Sequence, residues 1–112
     1  MIPSYDDLKE AAGLVAPYVH KTPVLRSGTL NRHIQSEVWF KCENFQRMGA
    51  FKIRGATHAI LKLSDEQRAR GVITHSSGNF AQAVALAASS LDTKATVVMP
   101  ETAPRVKKEA VR

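Results

Sequence analysis

One cysteine, Cys42, is all that the chain carries. A lone thiol excludes a disulfide framework and a cysteine-rich zinc module. No apolar run approaches the roughly 20 residues that a bilayer span needs. The opening stretch IPSYDDLKEAAG is acidic and amphipathic rather than basic and then apolar, so it does not read as a secretory leader. Aromatic residues make up 6% and are not interleaved with basic ones, which leaves no platform for stacking bases. With 6 Gly and 5 Pro in 112 residues, collagen and low-complexity chains are excluded. These absences point to a soluble protein of a reducing, cytoplasmic compartment with no membrane partner.

What is present is ordinary for a globular chain: 44% hydrophobic and 23% charged residues, enough for about one domain. Lys and Arg number 16 against 10 acidic residues, a formal charge of +6. The excess is scattered along the chain. Only Arg105, Lys107, Lys108 and Arg112 sit close together, and they read as a solvated helix face. No nucleic-acid partner is expected on that account.

Ser4 with Asp7 is a helix-start signal, and apolar residues at helical spacing follow, which predicts a helix over 5–17. Thr22-Pro23 imposes an extended path. A short helix is expected over 27–34 and a strand over 37–42. Residues 51–63 fit one helix face through Ile53, Ala56, Ala59, Ile60 and Leu63. Ser64 with Gln67 is a capping box for a second short helix, and Gly71 stands where such a helix ends. Buried-type strands are expected at 72–75 and 95–99, joined by the alanine-rich helix 80–91. Pro104 opens a last helix. The alternation predicts an α/β fold, an open parallel sheet with helices on both faces. The helical pattern at 109–112 has no closing glycine, so a truncation point is expected there.

Two segments carry chemistry. In Gly49-Ala50-Phe51-Lys52-Ile53-Arg54-Gly55, Lys52 falls in the first turn of a helix between apolar neighbours. A positive helix start and a low-dielectric surround both disfavour an ammonium, and a neutral amine is what Schiff-base chemistry requires. Phe51 would wall a flat ligand. The same segment also fits a surface lysine beside a core phenylalanine. The second segment is the turn Ser76-Ser77-Gly78-Asn79, between a strand and a helix. Hydroxyls, an amide and helix-start N–H groups make a ready anion site. Gly78 would let the backbone approach a ligand closely. The turn also fits an ordinary strand-to-helix connection in which Ser77 or Asn79 only caps the helix.

Together the two segments resemble the threonine dehydratase and serine racemase family of fold-type-II pyridoxal-phosphate enzymes, whose fold is like that of the tryptophan synthase β subunit. Lys21-Thr22-Pro23-Val24-Leu25 is similar to the family's KTPL-type segment. Lys41-Cys42-Glu43-Asn44-Phe45-Gln46 followed by 49–56 is similar to its KxExxQxxGSFKxRGA signature. Ser76–Asn79 with Ala81-Gln82 is similar to its SSGNHAQ loop, and 98–108 to its VxMPxxAPxxK stretch.

The resemblance implies that Lys52 holds pyridoxal phosphate covalently, that Phe51 packs on its ring and that Asn79 hydrogen-bonds its phenolic oxygen. Ser76, Ser77, Gly78, Asn79 and the Phe80 amide would hold the substrate carboxylate. Ser77 matches the acid/base serine of the racemases. The implied reaction is β-elimination, in which Lys52 removes the Cα proton of L-threonine or serine and a 2-oxo acid and ammonia form. Serine racemisation is the alternative, and a non-catalytic small-molecule-binding domain on the same scaffold is another.

Phe80 stands where the family usually has histidine, and Ala50 where it often has serine. The family's glycine-rich phosphate loop, its partner for the pyridine nitrogen and its acidic metal ligands come later in the chain than residue 112. The 112 residues alone are therefore expected to be inactive or to hold the cofactor weakly. The resemblance also assigns roughly 1–63 to a larger domain and 64–112 to a smaller one. Exposed apolar surface and homo-oligomerisation are expected with it. His20, His33, His58 and His75 lack ligand spacing, so no metal site is expected among these residues.

Overall fold

The computed structural model describes residues 2–111; Arg112, the last of the expected basic face, lies outside them. The first helix, α1 (Tyr5–Val15), starts on a complete capping box between Ser4 and Asp7 and gives way to a 3₁₀ turn, Ala16–Tyr18, that contains Pro17. The Ser4 hydroxyl and amide both donate to Asp7, which holds that carboxyl below its usual range. The extended path after Thr22-Pro23 becomes a strand, β1 (Val24–Arg26). It pairs antiparallel with β2 (Trp39–Lys41), with Leu25 opposite Phe40. Pairing was not legible in a three-residue segment, because one alternation is too short to show a period. Between the two strands lies α2 (Gly28–Ile34), capped by Ser27 and closed by Gln35 in the left-handed region.

The second half opens with α3 (Lys52–Leu61) and α4 (Asp65–Arg70). Then come β3 (Val72–His75), α5 (Asn79–Ser90), β4 (Ala95–Val98) and a short α6 (Arg105–Glu109). β3 and β4 pair in parallel, from Val72 opposite Ala95 to His75 opposite Val98, with α5 as the crossover. The α/β order read from the sequence is therefore the order found. Gly71 closes α4 at φ +84°, where a Cβ would stand 2.7 Å from the Lys94 carbonyl oxygen. Only glycine fits that crossing onto β4.

The strands are half-exposed rather than buried: Ile73 is 74% exposed and Val98 49%. α5 packs against the sheet, and the residues of the other face, Ile73, His75, Thr96 and Val98, are open among the described residues. The covering of that second face, part of the expected architecture, is not made by them. The β1–β2 ribbon likewise exposes Val24, Leu25, Trp39 and Phe40, so apolar surface is exposed as the sequence reading expects.

The core lies between α3 and α5. Ile53, Ala56 and Ile60 of α3 meet Ala83, Val84, Ala87 and Ala88 of α5. The alanine-rich helix thus packs on the sheet and also seats α3. Alanines let two helices approach closely, toward the short end of the usual 8–10 Å axis separation. The burial of Ile53 and of Ile60 contributes about 2 kcal/mol each. Thr57 is fully buried in α3 with its hydroxyl unpartnered, a cost carried inside this helix. No helix among the described residues is long and apolar enough to cross a membrane.

Candidate functional site

Lys52 is the first residue of α3, and the turn before it is held from a distance. Gln46 is 4% exposed and makes three hydrogen bonds. Its Oε1 accepts from the amides of His20 and Arg47, and its Nε2 donates to the His20 carbonyl at 2.8 Å. Glu43 accepts two hydrogen bonds from Arg54, at 2.8 and 2.9 Å, and one from the Thr22 hydroxyl. Arg54 lies in the first turn of α3, so this bidentate pair ties the loop to the helix that carries Lys52. The Arg54 guanidinium is the main reason that the Glu43 carboxyl is held down at about 2. Between these anchors the chain turns through two left-handed residues, Met48 at φ +54° and Gly49 at φ +71°. Met48 tolerates that conformation while its side chain packs on the α3–α5 core.

In the sequence, Glu43, Gln46 and Arg54 are parts of a signature with no evident task. Their task is now visible: they set the angle at which α3 begins. Only the signature itself could have singled them out, because their partners, Thr22 and His20, lie more than twenty positions away.

Lys52 and Phe51 adjoin, with the ammonium 5.1 Å from the ring centroid. Both are exposed, Phe51 at 58%. One expectation is corrected by this: the low-dielectric surround read into the segment is not formed by the described residues. Of the alternative reading, the surface lysine is found and the core phenylalanine is not. The reason is helical phase: Ile53 turns into the core at 1% exposure, while its two predecessors face outward. A cavity of about 310 Å³ is lined by His20, Lys21, Lys41 and Arg54 among others, but by neither Lys52 nor the Ser76–Asn79 turn.

That turn leaves the carboxyl end of β3, where ligands bind in open parallel sheets. The Ser76 amide donates to the Val98 carbonyl, and the Ser76 hydroxyl accepts from the Gly78 amide at 3.3 Å. Gly78 is the cap residue of α5 and offers no side chain to it. Neither Ser77 nor Asn79 caps the helix, so the plain capping alternative is not what the chain adopts. The amides of Asn79, Phe80 and Ala81 have no hydrogen-bond acceptor among the described residues. Ser77 and Asn79 are exposed, and Phe80 is 40% exposed. Gly78 has an ordinary negative φ of −121°, and a Cβ there would meet nothing within 4 Å. Neither backbone nor packing explains this glycine. The open space above it is what a ligand lying against the backbone would use.

The site residues thus fall into two groups, Phe51 with Lys52 and the 76–80 turn, each at the uncapped start of a helix. The two helices pack directly on one another, with Ile53 and Ala83 in the same core cluster. One contact was missed by the sequence reading. Lys107 of α6 donates to Asn79 Oδ1 at 2.8 Å, so the expected solvated face is not wholly solvated. Its neighbours do stay at the surface: Arg105 pairs with Glu109, and Lys108 bonds the Glu101 carbonyl.

An exposed primary amine beside an aromatic ring fits an aldehyde-bearing planar cofactor. An amide and an anion-ready turn on the adjoining helix fit its ring oxygen and an amino acid's carboxylate. The comparisons with known proteins point to the same class of cofactor. The chain is 54% identical over 107 residues to an L-threo-3-hydroxyaspartate ammonia-lyase of Saccharomyces cerevisiae, covering 96% of this chain and 33% of that protein. It is 49% identical over 112 residues to a serine racemase of Schizosaccharomyces pombe, covering 100% of this chain and 35% of the relative. A catabolic L-threonine dehydratase of Staphylococcus aureus matches at 46% over 112 residues, with 99% and 32% covered. The solved structure of maize serine racemase superposes with a TM-score of 0.94 at 49% identity, covering 99% of this chain and 34% of that one. The chain therefore spans about a third of the length of the relatives it matches. A family model described as "Pyridoxal-phosphate dependent enzyme" matches residues 15–112, and the chain belongs to that family, in its fold-type-II branch with the serine racemases, threonine dehydratases and hydroxyaspartate ammonia-lyases.

Proposed function

We propose that this chain is the N-terminal part of an ammonia-lyase that eliminates water and then ammonia from a 3-hydroxy amino acid, leaving a 2-oxo acid. L-Threonine and L-serine are the substrates read from the sequence. L-threo-3-Hydroxyaspartate joins them on the strength of the yeast relative's activity. The observation that carries the proposal is the pair of uncapped helix starts, one presenting the Lys52 amine and the other the 76–80 turn.

When bound, pyridoxal phosphate supplies an aldehyde for amines and a ring that draws off the electron pair left at Cα. Lys52 Nζ is the amine that would hold it, and Phe51 would lie along its face. Asn79 would meet its phenolic oxygen. The Ser76, Ser77, Gly78 and Asn79 turn, with the Phe80 amide, would grip the substrate carboxylate through charge-assisted hydrogen bonds. That grip fixes the Cα–H bond toward Lys52. With the substrate bound, the Lys52 amine would be the base that takes the Cα proton. The β-hydroxyl leaves as water, and hydrolysis releases ammonia with the 2-oxo acid.

Serine racemisation is the second reading. The exposed Ser77 hydroxyl, unpartnered among the described residues, would then return a proton to the opposite face of Cα. The test is to follow ammonia, 2-oxo acid and D-serine from each of the three amino acids. Lys52→Ala should lower turnover by about 10²–10⁴-fold, the range of a lost general base. Because Lys52 is exposed among the described residues, the melting temperature of the cofactor-free protein should not move. Normal turnover in Lys52→Ala would refute the assignment. Production of D-serine in place of ammonia, abolished by Ser77→Ala, would select the racemase.

A further inference from the structure

We propose that Lys107 is a positioning residue that fixes which end of the Asn79 amide faces the cofactor. The inference rests on the reading of Asn79 given above and adds to it. A carboxamide carries an acceptor and a donor of nearly equal shape, and a half-turn about its last torsion exchanges them. An asparagine on an exposed helix start is therefore as ready to offer Oδ1 as Nδ2. Only one of these suits a phenolic oxygen that carries negative charge: the Nδ2 hydrogens attract it, and Oδ1 repels it.

Lys107 removes the ambiguity. An ammonium has three donors and no acceptor, so it can bond only to Oδ1. The 2.8 Å contact from Lys107 Nζ to Asn79 Oδ1 turns the oxygen toward α6 and leaves the Nδ2 hydrogens at the free end. No other hydrogen bond to the Asn79 side chain is made by the described residues. The positive charge also polarises the amide in the direction that makes Nδ2–H a better donor. The neighbouring basic residues do not share this task. Lys108 is turned to the Glu101 carbonyl and Arg105 to Glu109. Lys107 is thus the one cation of α6 committed to the site. It reaches across 28 positions of sequence to do so.

The test compares Lys107→Met, Lys107→Arg and Asn79→Ala in the full-length protein. One readout is the ratio of the long- to the short-wavelength absorption band of bound pyridoxal phosphate, which reports the charge on the ring oxygen. The other is the side-chain amide resonance of Asn79 in cofactor-free protein. Lys107→Met should move that resonance and lower the band ratio by about fivefold, the worth of one hydrogen bond. Lys107→Arg, which keeps the donors, should restore the ratio to within about twofold. Neither variant should shift the melting temperature, since the contact is at the surface. If Lys107→Met changes neither readout while Asn79→Ala changes the band ratio, the inference fails and the reading of Asn79 survives. If the ratio changes but the resonance does not, Lys107 acts by charge alone and amide positioning is refuted. If Asn79→Ala leaves the ratio intact, the reading of Asn79 fails and this inference with it.

Discussion

Helix α4 and helices α3 and α5 begin in opposite ways. α4 opens on a serine whose hydroxyl takes the Gln67 amide while Gln67 reaches back to the Ser64 amide. α1 and α2 do much the same with Ser4 and Ser27. All three satisfy one of their first N–H groups within four residues of chain. α3 opens on Phe51 and α5 on Gly78, and neither has a side-chain cap. The three serine caps fall on helices without site residues, while the helices that carry Lys52 and Asn79 are uncapped, as is the five-residue α6, which opens on Pro104. A cap would occupy the N–H groups that an anionic ligand needs. α3 and α5 are held instead by non-local contacts: the α3–α5 core, and for α3 the Glu43–Arg54 and Gln46 network.

If that division is real, α3 must depend most on its distant clamp. Glu43→Gln is expected to be the largest loss, about 2 kcal/mol at neutral pH, after allowing for the partial exposure of Arg54. The loss should also be pH-dependent in a definite direction. The folded Glu43 carboxyl sits at about 2 against an ordinary 4.5, so its contribution is present above pH 4.5 and is lost as pH falls toward 2. Urea unfolding of both proteins from pH 7 downward checks this. The two stability curves should converge over that window. Parallel curves would mean that the carboxylate is not what anchors α3.

A smaller effect is expected at the local cap. Ser64→Ala removes the hydroxyl from the α4 capping box and should cost about 1 kcal/mol. α4 carries none of the proposed site residues, so binding of pyridoxal phosphate and turnover per folded molecule should be unchanged. Denaturant unfolding alongside cofactor titration separates the two. A fall in cofactor affinity here would break the division between capped and uncapped helices.

The same division explains what could be read from the sequence and what could not. The Ser4–Asp7 and Ser64–Gln67 boxes and the end of α4 at Gly71 are short-range devices written in consecutive residues, and each was found as read. The parallel β3–α5–β4 unit was equally legible, because apolar strands and a small-residue helix alternate over about 27 positions. The β1–β2 pair escaped because it joins two three-residue segments across α2. At the site, Lys52 and the 76–79 turn were visible as residue types in a motif. Their surroundings were not. The exposure of Phe51 follows from the phase of α3, which turns Ile53 into the core and its two predecessors outward. The Lys107–Asn79 contact joins two helices separated by a strand and a turn.

The smallest expected change in stability is the most direct probe of the uncapped state. Gly78→Ser supplies α5 with the cap that α1, α2 and α4 possess. The residue has an extended backbone at φ −121°, and a Cβ would meet nothing within 4 Å, so serine enters without strain. As a cap it should raise stability by a few tenths of a kcal/mol. It should do so by accepting from the amide of Ala81 or of Phe80, the latter assigned to the carboxylate. Its side chain would also enter the space left open above the turn. Substrate affinity should therefore fall by about tenfold, one charge-assisted hydrogen bond's worth, while the protein becomes no less stable. Opposite signs in unfolding and in binding are the outcome that only a deliberately uncapped helix gives. A variant that is stabilised and still binds amino-acid carboxylates normally would show that the bare start of α5 is an accident of packing.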